Sequence, residues 1–105
     1  MAHWIRVASV KDFEERPVHT VTYEDLDIAV FKIGQDFYAI VDQCTHMDAR
    51  LSEGALEGHV IVCPLHGAKF DVRTGAVLSL PAASPVDTVP VKVEGNDVYV
   101  DVEDL

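Results

Sequence analysis

The sequence predicts an all-β protein, an antiparallel sandwich or partly open barrel built from the two ends of the chain, with a smaller loop-rich subdomain inserted between them. Three observations carry this. Hydrophobic periodicity is mostly two, as strands require. Toward both ends, alternating apolar runs are joined by short Gly-containing turns. The middle breaks into short segments punctuated by Gly54, Gly58, Gly67 and Gly75, with Pro64 and Pro81. At 105 residues the chain is expected to form one domain. Its basal part spans about 1–42 and 86–105, and the inserted part about 43–85.

Trp4 to Ala8 reads as a first strand. Ser9 to Phe13 reads as a helical turn, with Ser9 as cap and Asp12 at the third position. Pro17 to Tyr23 alternates and is rich in β-branched residues. Ile28 to Ile33 and Phe37 to Val41 flank Gly34-Gln35-Asp36, a tight hairpin. A turn is expected around Asp48 to Leu51 and another at Glu57-Gly58-His59. Val60 to Val62 and Lys69 to Val72 are short strands, and Arg73-Thr74-Gly75 turns the chain back. Thr88 to Val93 and Val98 to Val102 form a last hairpin about Gly95-Asn96-Asp97. No long helix is predicted.

Eight Lys and Arg face 18 Asp and Glu, a formal net charge of −10. That balance argues against nucleic acid, which needs a basic footprint. It argues equally against an anionic membrane surface. It fits steering toward a basic partner protein. The first residues contain no long apolar run, and no segment reaches membrane-spanning length, so a cytoplasmic location is expected. In a reducing compartment the two cysteines point to metal binding before a disulfide.

Both cysteines are paired with a histidine: Cys44-Thr45-His46, and Cys63-Pro64-Leu65-His66 followed at once by Gly67. Each short loop can supply one sulfur and one nitrogen. Two thiolates and two imidazoles match the [2Fe–2S] centre in which two His replace two Cys on one iron. Structural zinc prefers Cys-Cys and His-His pairs at other spacings. A zinc-bearing binding or sensor module is therefore the rival from a different class. His3, His19 and His59 are scattered, and no two-His-one-carboxylate iron site follows from their spacing, so the chain is not expected to be an oxygenase itself. Asp48 and Glu53 read as solvated acidic surface. Trp4, Phe13, Phe31 and Phe37 read as core or partial cover.

These two motifs resemble the cluster loops of the Rieske family. The likeness continues through Ala68-Lys69-Phe70-Asp71 and Thr74-Gly75, and Leu80-Pro81-Ala82 resembles the family's proline loop. The resemblance implies a Rieske fold in which the inserted part binds one [2Fe–2S] cluster per chain. Cys44 and Cys63 would hold the inner iron, and His46 and His66 the outer one, near solvent. Met47, Pro64, Leu65, Gly67, Ala68 and Pro81 would form a weakly polar collar. The chain is most similar in kind to the soluble Rieske ferredoxins of aromatic-ring-hydroxylating (biphenyl-type) dioxygenase systems. It would then be an electron carrier and not an enzyme, passing single electrons from a flavin-dependent reductase to a terminal oxygenase, both docking through basic surfaces. The small Rieske subunits of assimilatory nitrite reductases are similar as well. Respiratory Rieske proteins carry two further cysteines, and a Ser and a Tyr that donate to cluster sulfur. Here Ala49, Leu65, Ala68 and Phe70 stand in those places. The resemblance thus implies no bridging disulfide and a potential toward the low end of the range, about −150 mV.

Overall fold

In a computed structural model, residues 2–43, 49–65, 67–79, 84–103 and 105 are described. Cys44, His46, Met47, Asp48, His66, Leu80, Pro81 and Ala82 lie outside them. The strands are β1 (Trp4–Ser9), β2 (Val18–Tyr23), β3 (Leu26–Ile33), β4 (Asp36–Val41), β5 (Ala55–Glu57), β6 (Val60–Val62), β7 (Lys69–Asp71), β8 (Val77–Ser79), β9 (Thr88–Val89), β10 (Val91–Glu94) and β11 (Asp97–Asp101). One short helix, α1 (Asp12–Glu15), follows β1, and a 3₁₀ turn occupies Leu51–Glu53.

The strands form three antiparallel sheets, ordered β1-β11-β10, β2-β3-β4-β9 and β5-β6-β7-β8. Among the described residues none closes into a barrel, as the expected sandwich or partly open form requires. The middle sheet is shared. Ile28 and Val30 pack with Val98, Val100 and Val102 of the terminal segment. Ala29 and Phe31, on the opposite face of β3, pack with Leu51, Ile61, Cys63 and Phe70. Alternate residues of a strand point to opposite faces. An uninterrupted run Ile28-Ala29-Val30-Phe31, all 0% exposed, is what a strand covered on both faces requires.

Where the elements differ from expectation, the reasons are local. Thr88 to Val93 is not one strand. Pro90 has no N–H to give to a ladder, and the chain changes sheets there. Val89 pairs with Ala39 on one side of it, and Val91 pairs with Val100 on the other. α1 begins later than expected, at Asp12, yet the Ser9–Asp12 contact forms: the Ser9 N–H donates to Asp12 Oδ2 at 3.0 Å. The turn expected around Asp48 to Leu51 is the 3₁₀ turn at Leu51–Glu53. Strands β5 and β8 have no counterpart in the sequence reading.

Candidate metal centre

The second Cys-His loop is the tip of the β6–β7 hairpin. Val62 pairs with Lys69, and the Cys63 N–H donates to the Ala68 carbonyl at 2.7 Å. Five residues on from Cys63 the chain is therefore back at the same rung. Cys63 is 2% exposed and sits in the core cluster with Leu51, Ile61, Phe70 and Ala68. Pro64 and Leu65 turn outward, Leu65 being 44% exposed. Gly67 has φ +72°, a left-handed conformation that glycine adopts without strain, and it brings the chain back toward Ala68.

Around this loop the expected collar is only partly realised. Pro64, Leu65 and Gly67 are exposed. Ala68 is 0% exposed, because its hydrogen bond to Cys63 turns it into the core, so it belongs to the interior and not to the collar. Phe70 is likewise fully buried.

The first Cys-His loop enters and leaves through described residues. Asp42 and Gln43 precede Cys44, and Ala49 and Arg50 follow Asp48. Asp42 has a buried side chain holding three bonds. Its Oδ1 accepts the Ser52 N–H (2.7 Å), and its Oδ2 accepts the Ser52 hydroxyl (2.6 Å) and Arg50 Nε (3.3 Å). A cleft of about 420 Å³ is lined by Asp42, Gln43, Ala49, Arg50, Pro64 and Leu65, among others. The flanks of the first loop and the start of the second thus face one space. Of the four residues the sequence singles out, Cys63 is placed directly. Cys44, His46 and His66 lie outside the described residues.

The expected third loop, Leu80 to Ala82, also lies outside them, but its exit is fixed. The Val86 N–H donates to the Gly75 carbonyl (2.9 Å), and the Gly75 N–H donates to the Asp71 carbonyl (2.7 Å). In the same turn, Asp71 binds the Arg73 guanidinium through both carboxylate oxygens, at 3.1 and 3.0 Å. The Arg73 side chain, and then its N–H, hold the Asp71 carboxyl below the usual carboxylate range.

Asp42, Arg50 and Ser52 were not singled out in the sequence. A polar Asp between Val41 and Gln43 reads as loop until its partners, eight and ten residues on, are seen beside it. The remaining histidines have structural contacts. His19 Nε2 donates to the Asp12 carbonyl (2.9 Å), and the rings of His3 and His59 stand edge-on to Tyr23 and Tyr38.

Cys63 is thus buried at the start of the β6–β7 turn, next to Pro64 on a cleft that both flanks of the 44–48 segment also line, an arrangement compatible with a mixed sulfur–nitrogen iron site. The Rieske [2Fe-2S] domain matches residues 3–90, and the chain belongs to that family. Each such domain carries one [2Fe–2S] cluster, so this chain carries one. Among particular relatives, the 3-phenylpropionate/cinnamic acid dioxygenase ferredoxin subunit of Escherichia coli (strain K12) is 51% identical over 76 residues, covering 71% of this chain and 72% of its own. The ferredoxin of carbazole 1,9a-dioxygenase from Nocardioides aromaticivorans IC177 superimposes with a TM-score of 0.87 at 33% identity, covering 92% of this chain and 95% of its own. A chain from the complex of reduced oxygenase and oxidised ferredoxin in carbazole 1,9a-dioxygenase gives 0.88 at 39% identity, covering 93% and 92%.

Proposed function

We propose that the chain is the electron-carrying ferredoxin of an aromatic-dioxygenase system, with Cys44 and Cys63 as the thiolate ligands of its cluster and His46 and His66 as the imidazole ligands. The observation that carries the reading is the convergence of both loop flanks on one cleft beside the buried Cys63. Bound there, the cluster supplies a one-electron couple. The protein does the rest. Leu51, Ile61 and Phe70, each 0% exposed, keep water away from Cys63 on its inner side. Pro64 and exposed Leu65 leave a low-polarity surface where a partner can approach closely. Redox encounters use small contacts, below about 1,200 Å² in total.

Asp25, Asp27 and Glu53 line the same cleft, with Asp27 paired to Arg50. With the net charge of −10 they favour partners with basic docking surfaces. The partners are a flavin-dependent reductase as donor and a terminal oxygenase as acceptor. The acceptor role is supported by the carbazole 1,9a-dioxygenase system, in which a ferredoxin similar to this chain is found in complex with the oxygenase. A cytoplasmic location is part of the same proposal; among the described residues no helix is long and apolar enough to cross a membrane.

The test is anaerobic purification, metal and sulfide analysis, and EPR of the reduced protein, with Cys63→Ser and His66→Ala beside the parent. Two iron and two sulfide per chain with a mixed His/Cys signal are expected in the parent and are lost or altered in each variant. Stoichiometric zinc in a colourless protein would overturn the reading.

A further inference from the structure

Asp42 is the one buried charged residue among those described, and its side chain is 0% exposed. Its backbone N–H donates to the Asp27 carbonyl (2.8 Å). Its carboxylate binds Ser52 twice and Arg50 once. A terminal nitrogen of Arg50 then reaches Asp27 Oδ2 at 3.4 Å. The network ties the residue just after β4 to two residues beyond the first Cys-His segment, and through Asp27 ties them to β3.

Its cost makes it informative. A buried carboxylate is expensive unless it is fully bonded, and an apolar side chain would serve burial as well or better. What an apolar residue could not do is fix the spacing and direction of two chain ends. Those ends are residues 42 and 50, and the segment between them carries Cys44 and His46. Next to Arg50 stands Leu51, 0% exposed and in the same core cluster as Cys63. The network therefore sets one loop against the other.

We propose that Asp42 and Arg50 are positioning residues for the cluster: by clasping the two ends of the 43–49 segment they govern how firmly the cluster is retained, and as fixed charges of opposite sign they bias its potential in opposite directions. This rests on the reading that Cys44 and His46 are ligands.

The test uses the loaded protein and three readouts: iron release to a chelator followed by visible absorbance, midpoint potential, and urea unfolding. Asp42→Asn keeps the size but turns an acceptor into an N–H group facing Arg50. Arg50→Gln leaves the buried carboxylate short of its cation. Each is expected to release iron about tenfold faster than the parent, on the scale by which outer supports of a metal site change its affinity. The midpoint should rise in Asp42→Asn and fall in Arg50→Gln. The double variant should release iron no faster than the worse single one, since both break one network. Ser52→Ala and Arg50→Lys carry the test if either variant fails to fold, with release expected between parent and single variants. Arg6→Gln, which breaks an exposed pair with Asp97 between β1 and β11, should leave release unchanged. Parental release rates in Asp42→Asn and Arg50→Gln, or midpoint shifts of the same sign, overturn the proposal. Cys44→Ser separates it from the reading beneath: a Cys44→Ser protein that keeps its two iron and its EPR signal refutes the ligand assignment, whereas an iron-depleted Cys44→Ser beside parental Asp42→Asn and Arg50→Gln refutes only the clasp.

Discussion

Replacing Gly75 by alanine tests how the segment after the third loop is held. Gly75 sits at φ +80°, and a Cβ there would lie 2.1 Å from the Val86 carbonyl oxygen. Two costs follow. The left-handed conformation costs a non-glycine residue about 1–2 kcal/mol. The contact cannot be relieved by a side-chain rotation, because the atom it meets is backbone. The Val86 segment must move, which loosens its 2.9 Å bond to the Gly75 carbonyl, worth about 1 kcal/mol, and lifts Val86 partly from the core. The sum is about 3 kcal/mol, or roughly 12 °C in the thermal midpoint for a domain of this size. Gly34 supplies the control. It has φ +64° with nothing within 4 Å of the added atom, so Gly34→Ala carries the conformational cost alone. Its midpoint should fall by only about 4–8 °C. Thermal unfolding of the two loaded variants, followed by circular dichroism and cluster absorbance, gives the difference directly. Equal losses in Gly75→Ala and Gly34→Ala would refute the argument that Val86 is clamped against this turn.

Phe70, buried in the same cluster as Cys63, bears on potential. Phe70→Tyr should raise the midpoint by about 40 mV if the new hydroxyl bonds sulfur with about 1 kcal/mol of preference for the reduced form; a stability loss with no redox shift in a voltammetric titration would show that it finds no such partner. Asp71, lowered by its bonds to Arg73, contributes stability above the ordinary carboxylate value that is lost as pH falls through the lowered one. Asp71→Asn should therefore be less stable than the parent by up to about 1 kcal/mol near neutrality, and by less in acid below the ordinary carboxylate range. Urea midpoints at the two pH values check it, and a gap that widens in acid would contradict the sign.

Much of the architecture was legible because local signals and tertiary burial agree. Gly34 and Gly95 mark hairpin turns between alternating runs, and both take positive φ. The apolar stretch of β3 reads as a hairpin strand, and its cover on two sides appears only in the packing. The break at Pro90 was less visible, since Thr88 to Val93 alternates well enough to hide that one end pairs with β4 and the other with β11. Strands β5 and β8 are no shorter than β6 and β7, but Ala55-Leu56-Glu57 and Val77-Leu78-Ser79 lack the β-branched run that marks Val60 to Val62; they exist through pairing with β6 and β7. At the site, the Cys-His spacing is a covalent fact and reads directly. The clasp does not: nothing in Asp42, Arg50 and Ser52 as letters says that a loop will fold back to bring them together.

The two-sided burial of β3 also fixes the smallest portable unit. Cutting out residues 43–85 would strip Ile61, Phe70 and Val72 of Ala29, Phe31 and Ile40, and would leave the remainder with an apolar sheet face bare to water. Neither fragment would be a protein in its own right. Moving this redox device into another polypeptide, by fusion or by recombination, therefore means transferring the whole chain with its junctions at the two ends, and any insertion belongs at an exposed turn such as Gly34-Gln35 or Gly95-Asn96, where the ladder on either side stays whole.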